Sequence, residues 1–137
     1  MGIKANRDGT LSVPVTVLVP GELMGSGLGH PDPASGDYDI TTMDKKVVEK
    51  HKLDKIRFGD FVALVDCDNT YGRHFLTGAV TIGIVVHSDC ILSGHGPGVA
   101  TLISCRERII KPVISAKANI GQILNIGRFR KSRKRGR

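Results

Sequence analysis

The apolar positions of this chain fall in short runs broken by glycine, proline and aspartate. "LSVPVTVLVP" reads as a strand from about Val13 to Val19, with Pro14 suited to an edge or a strand start. "GELMGSGLGHPDPASGDYDITT" holds too many glycines and prolines for regular structure and reads as a long loop. "TTMDKKVVEKHKLD" predicts the main helix, near residues 43–51. Thr41 and Asp44 make a capping pattern there, and Met43, Val47 and Val48 form an apolar stripe. After a turn at Gly59–Asp60, Phe61–Val65 predicts a strand, and "DCDNTYGR" an ordinary hairpin loop. Ala79–Val86 is nearly continuously apolar, as befits a central strand covered on both faces. "VATLIS" predicts another strand, and "ERIIKPVIS" a short one ending near Pro112. "ANIGQILNIG" fits a short helix or a strand, and residues 1–10 read as a loose lead-in.

Composition supports the same picture. Phe and Tyr are few and Trp is absent, so Val, Ile and Leu must build the core, and β-branched side chains suit a pleated surface. Seventeen glycines imply many tight turns. The expected fold is a mainly β domain over residues 1–127, a small barrel or sandwich with one main helix, α+β being the alternative.

Charge changes the picture in one place. The formal net charge is +7, but "RFRKSRKRGR" alone carries seven cations; of 20 basic residues 13 then remain, equal to the 13 acidic ones. The body is neutral, and residues 128–137 form a basic tail expected to be disordered. Such a run attracts phosphates, so weak non-specific contact with nucleic acid is one reading of it and a solubilising tail the other. Three widely spaced cysteines with no CxxC pair suggest reduced thiols and a cytoplasmic protein. No apolar run is long enough to suggest a membrane span or a signal peptide.

Two segments concentrate chemistry. In "HSDCILSGHGPG", His87 and Asp89 close a buried strand and His95 sits among Gly94, Gly96 and Gly98. Imidazole and carboxylate ligate divalent metals, His is the usual general base near neutral pH, and glycines let the backbone approach a ligand. The same residues also suit a tight turn with a hydrogen-bonded histidine, and Cys90 reads better as a structural thiol than as a nucleophile. In "GSGLGHPDPASGDYD", His30, Asp32, Asp37 and Asp39 offer one imidazole and three carboxylates, or simply a solvated loop. Asp66 and Asp68 in "DCDNTYG" begin like a calcium loop, but Gly72 comes one place late and Thr77 stands where a bidentate Glu is needed; they remain candidates for ligand contact only.

"GSGLGHPDPASGDYDITT", "LDKIRFGDFVALVDCDNTYGRHFLTGAVTIGIVVHSDC" and "GHGPGVATLIS" together resemble an uncharacterised prokaryotic family, domain of unknown function 4438, over about Val15–Leu124. The resemblance implies a β-rich domain with no established activity. It also implies members about twice this length, so that this chain corresponds to one part of their architecture. More faintly, "VLVPGELMGSGLGH" followed by "SGD" is similar to the metal-ligand stretch of acetamidases and formamidases, which nominates His30, Asp37 and Asp39. Gly27 and Leu28 depart from that pattern where an acidic residue is expected.

The sequence therefore yields one functional expectation. The two glycine-rich segments converge, so that His30, Asp37, Asp39 and Asp89 bind zinc or a similar divalent ion, with His87 and His95 as catalytic groups or further ligands. Hydrolysis of a small amide by metal-bound water is the reaction such a site would perform. The competing expectation is a non-catalytic subunit that assembles with itself or with a partner supplying the missing half.

Overall fold

The computed structural model describes residues 2–24, 38–40, 45–70, 74–87 and 96–130. Two open sheets form a sandwich-like, mostly β architecture. The smaller sheet has the order β1-β2-β8, from β1 (Lys4–Ala5), β2 (Leu11–Val15) and β8 (Ile110–Ile114). The larger has the order β3-β5-β6-β7-β4, from β3 (Val17–Pro20), β4 (Tyr38–Asp39), β5 (Phe61–Asp68), β6 (His74–His87) and β7 (Gly98–Cys105). Of the two β architectures expected, the sandwich is the one formed.

Alternation along β5 explains the layering. Val62 and Leu64 face one core with Val19, Met24, Ile40, Leu53, Val85 and Val99, over which Val48 and Ile56 pack from the helical side. Ala63 faces the opposite way, into a second core with Val13, Val15, Ile82 and Ile110 between the sheets. Both faces of β5 and β6 are thus covered, as the unbroken apolar run of β6 predicted. Gly83 permits this locally: a Cβ there would run into the Val99 side chain and come within 2.8 Å of the Ala100 carbonyl.

Several boundaries differ from the sequence reading. The single strand expected over Val13–Val19 divides at Thr16, and its halves join different sheets: β2 runs parallel to β8, β3 parallel to β5. Thr16 bridges the seam by donating its backbone N–H to the Phe61 carbonyl at 2.8 Å. Pro14 and Pro112 are tolerated because β1 reaches only to Ser12 and β8 is an edge strand. The lead-in is not loose: Lys4–Ala5 pairs with β2 around a turn in which Thr10 N–H and Oγ donate to Asp8 at 3.0 and 2.6 Å. β8 continues past Pro112 to Ile114. Tyr38–Asp39 is an edge strand rather than loop. Asp66–Asp68 belongs to β5, not to a hairpin loop, since a bulge between Val65 and Cys67 carries the strand onward.

The main helix, α1, is Lys45–Lys50; the capping pattern at Thr41 and Asp44 lies outside the described residues. "ANIGQILNIG" supplies α2 (Ile120–Leu124), capped by Asn119, whose side chain accepts from Gly121 N–H at 2.8 Å. Gly127–Phe129 adds a helical turn; residues 131–137 are outside the described residues.

Candidate functional site

The end of the larger sheet carries the sequence-nominated chemistry. Gly98 of β7 is the register partner of His87 on one side and of Asp39 on the other. Asp39, Gly98 and His87 therefore form one row across β4, β7 and β6. With strands ~4.8 Å apart, Asp39 and His87 stand roughly 10 Å apart along it, and the glycine between them places no side chain in the row.

The row is built by specific devices. Val85 pairs with Val99, but the next pair is His87 with Gly98, so Val86 and His87 together oppose a single residue. This bulge re-aims the end of β6, and bulges of this kind gather beside active sites. His87 is half-buried, and Gly96, Pro97 and Gly98 are buried. Ile40 N–H donates to the Pro97 carbonyl at 2.9 Å, and Met24 bridges to Ile40, locking the strand ends together.

These anchors decide where the two glycine-rich segments start and finish. Segment 25–37 leaves after Met24 and returns at Tyr38; segment 88–95 leaves after His87 and returns at Gly96. All four points lie at the same end of the sheet. Of the nominated residues, Asp39, His87 and Gly96 are placed there; His30, Asp37, Asp89, Gly94 and His95 lie outside the described residues. No group of three or more metal-ligating side chains occurs among the described residues.

Asp66 and Asp68 sit at the other end of β6, where Asp68 pairs with His74. Asp66 takes a left-handed conformation (φ 61°) at the bulge, and its carboxylate accepts from Gly78 N–H at 2.9 Å. Asp68 is fully buried. It accepts from Thr70 N–H and Oγ at 3.1 and 2.6 Å and from Arg106 Nε at 2.8 Å, with His74 Nε2 at 3.4 Å. Ser104 Oγ extends the network to Thr81 at 2.9 Å and accepts from Asn69 N–H at 2.7 Å. The network cross-links β5, β6 and β7 and gives the Asp68 carboxylate an internal set of partners. Arg106 and His74, which complete it, gave no local signal in the sequence. Nearby, burial and the Asp66 charge push the Cys67 thiol up to about 11, so this cysteine is a protonated core residue.

Burial works against the Asp68 charge, but hydrogen bonds from Thr70 and Arg106 outweigh it and hold the carboxyl below its usual value. The folded state thus binds that proton less readily than the unfolded chain. The associated stability is fully present above the unfolded pKa of ~3.9 and is lost as pH falls through the lower folded value. Arg106→Ala removes one of the opposing bonds and raises the folded value. Urea midpoints followed from pH 7 to 2 should show a smaller acid loss in that variant, one that levels off at higher pH; superimposable profiles would remove Arg106 from the account.

The family model for the C-terminal domain of domain of unknown function 4438 matches residues 1–124. The chain belongs to this family. A solved crystal structure, that of TM1086, is 41% identical to this chain and superposes with a TM-score of 0.78 over 89% of it. The chain spans 42% of the TM1086 chain. No curated protein matches. The family resemblance read from the sequence is therefore established, whereas the likeness to acetamidases has no counterpart among these matches. Among the described residues, no helix is long and apolar enough to cross a membrane.

Proposed function

We propose that the chain is a β-rich binding module whose site lies along the Asp39–Gly98–His87 row and takes a divalent metal ion or a small polar ligand. The observation that carries this reading is the row itself: two chemically competent residues, far apart in sequence, meet across a glycine at the point where both glycine-rich segments attach. Zinc or a similar ion suits a mixed imidazole and carboxylate set. His30, Asp37, Asp89 and His95 are the further donors that the two segments contain. A bound ion would supply Lewis acidity and an activated water, so small amides are the substrate class to screen. His87, half-buried on a bulge, is suited to hold the ion or to move a proton beside it.

Elemental analysis of the purified, untagged protein tests this reading. Close to one zinc, manganese or similar ion per chain is expected, with most of it lost in His87→Ala and His95→Ala. A metal-free protein, or one whose metal survives both substitutions, overturns the metal form of this reading.

A second reading has its own support. The chain spans less than half of TM1086, and Val113, Ile114, Ile123, Leu124 and Ile126 are about half exposed. A non-catalytic subunit that covers these residues by self-association, or against a partner supplying the rest of the architecture, fits that exposure. Sedimentation of the metal-free protein separates this reading from the first.

A further inference from the structure

A cavity whose lining includes none of Asp39, Gly98 and His87 lies beside the seam where β2 passes into β3. It measures about 310 Å³, within the range of small-molecule sites. Thr16 and Val17 line one side, and Lys52, Lys55, Arg57 and Asp60 the other.

Its charge is unbalanced. Asp60 is 1% exposed and fully engaged: it accepts from Arg57 N–H at 2.8 Å, from Arg57 Nε at 3.2 Å and from Asn119 Nδ2 at 2.8 Å. Arg57 also donates from Nη2 to the Ala116 carbonyl at 3.1 Å, and its guanidinium lies 5.3 Å from the Phe129 ring centroid. The guanidinium is thus fixed in place, while Nη1 takes no part in these bonds. Among the described residues, the side-chain ammonium groups of Lys52 and Lys55 have neither an ion-pair nor a hydrogen-bond partner. Outside its basic tail the chain is neutral, yet three cations share this one cavity with a single carboxylate that already serves Arg57.

Backbone strain singles out the same place. Lys52 follows α1 in a left-handed conformation (φ 57°, ψ 35°), a position where glycine is the easy choice. A lysine there accepts strain and crowds like charges together, and strain of this kind persists where the surrounding structure or a ligand repays it.

We propose that this cavity binds a small phosphorylated anion. Two unpaired ammonium groups and the open end of a fixed guanidinium match a dianionic phosphoryl group better than a monoanionic carboxylate. Asp60 and Asn119 are positioning residues, since they hold Arg57 without facing the ligand through any free atom of their own.

Titration with inorganic phosphate at constant ionic strength, with chloride as the balancing anion and a chelator present, tests the proposal without involving the metal reading. One saturable site per chain is expected. Lys52→Gly is the informative variant, because it removes the ammonium while relieving the left-handed strain, so the fold is retained. It and Lys55→Gln should each weaken phosphate by about 10-fold or more, the loss of one charge-assisted contact. Arg133→Gln/Lys134→Gln in the tail should leave the affinity unchanged. Absence of saturation, equal binding by Lys52→Gly and wild type, or loss through the tail substitutions alone would each overturn it.

Discussion

Replacing Asp60 with alanine is expected to destabilise the protein by about 3 kcal/mol, lowering Tm by roughly 10 °C. The carboxylate is buried, and its removal strands two groups. Asn119, itself 1% exposed, loses one of the two acceptors of its amide, at 2.8 Å, and keeps the Phe58 carbonyl at 3.0 Å; Arg57 loses the acceptor of its backbone N–H and the carboxylate beside its guanidinium, and keeps the Ala116 carbonyl at 3.1 Å. The cost falls at the lower end for a broken buried pair because the Arg57 side chain keeps 32% of its exposure and finds water instead. The damage should also be directional. Asp60 bridges to Asn119, Phe61 N–H donates to the Ala118 carbonyl at 2.9 Å, and Ile120 N–H to that of Gly59 at 2.9 Å, so this corner is what docks α2 onto the start of β5. Hydrogen exchange should accelerate over residues 118–130 before it does in β6. Asp60→Asn keeps one acceptor and should lose less. A thermal melt of Asp60→Ala within 2 °C of wild type would show that the corner contributes nothing.

Gly83→Ala should have the second-largest effect, about 1–3 kcal/mol, although it adds one methyl group. That methyl meets the Val99 side chain, which is β-branched and buried at 1% exposure, and approaches the Ala100 carbonyl to 2.8 Å. Neither neighbour yields easily: one is stiff about χ1 and the other is backbone within a paired strand. The strain is shared, so Val99→Ala should partly rescue Gly83→Ala, and the double variant should be more stable than the sum of the two losses. Denaturant midpoints for the four proteins measure this. Strict additivity would mean that β7 moves away as a whole instead of repacking.

Legibility in the sequence followed sequence distance. The strands of the central sheet were readable because apolar runs such as Ala79–Val86 are local and long. The helix at Lys45–Lys50 was readable from Val47 and Val48. The division at Thr16 was not, because "VPVTVLV" is uniformly extended and only the arrival of β8 on one half and β5 on the other separates it. The turn residues that follow Asp66 and Asp68 make them read as loop, while the bulge that keeps them in the strand depends on Gly78 across the hairpin. For the candidate site, residue types pointed to His87 and Asp39. Their meeting through Gly98 is a matter of register, which composition does not carry. The Asp60–Asn119–Arg57 corner was invisible, since "GD" reads as a turn and its partner lies far downstream.

The parallel pairing of β2 with β8 bears on how the protein is made. Leu11 can pair early with Ala5, but Val13 and Val15 take their pairing from Pro112 and Ile114 of β8. At ~5–20 residues per second of synthesis, β2 emerges and then waits about 5–20 s for its companion strand. Throughout that interval its valines and unpaired amides are open to wrong neighbours. The β2–β8 pairing therefore comes late in synthesis, and crowded translation, more than heat, is the circumstance under which this chain should most need a chaperone.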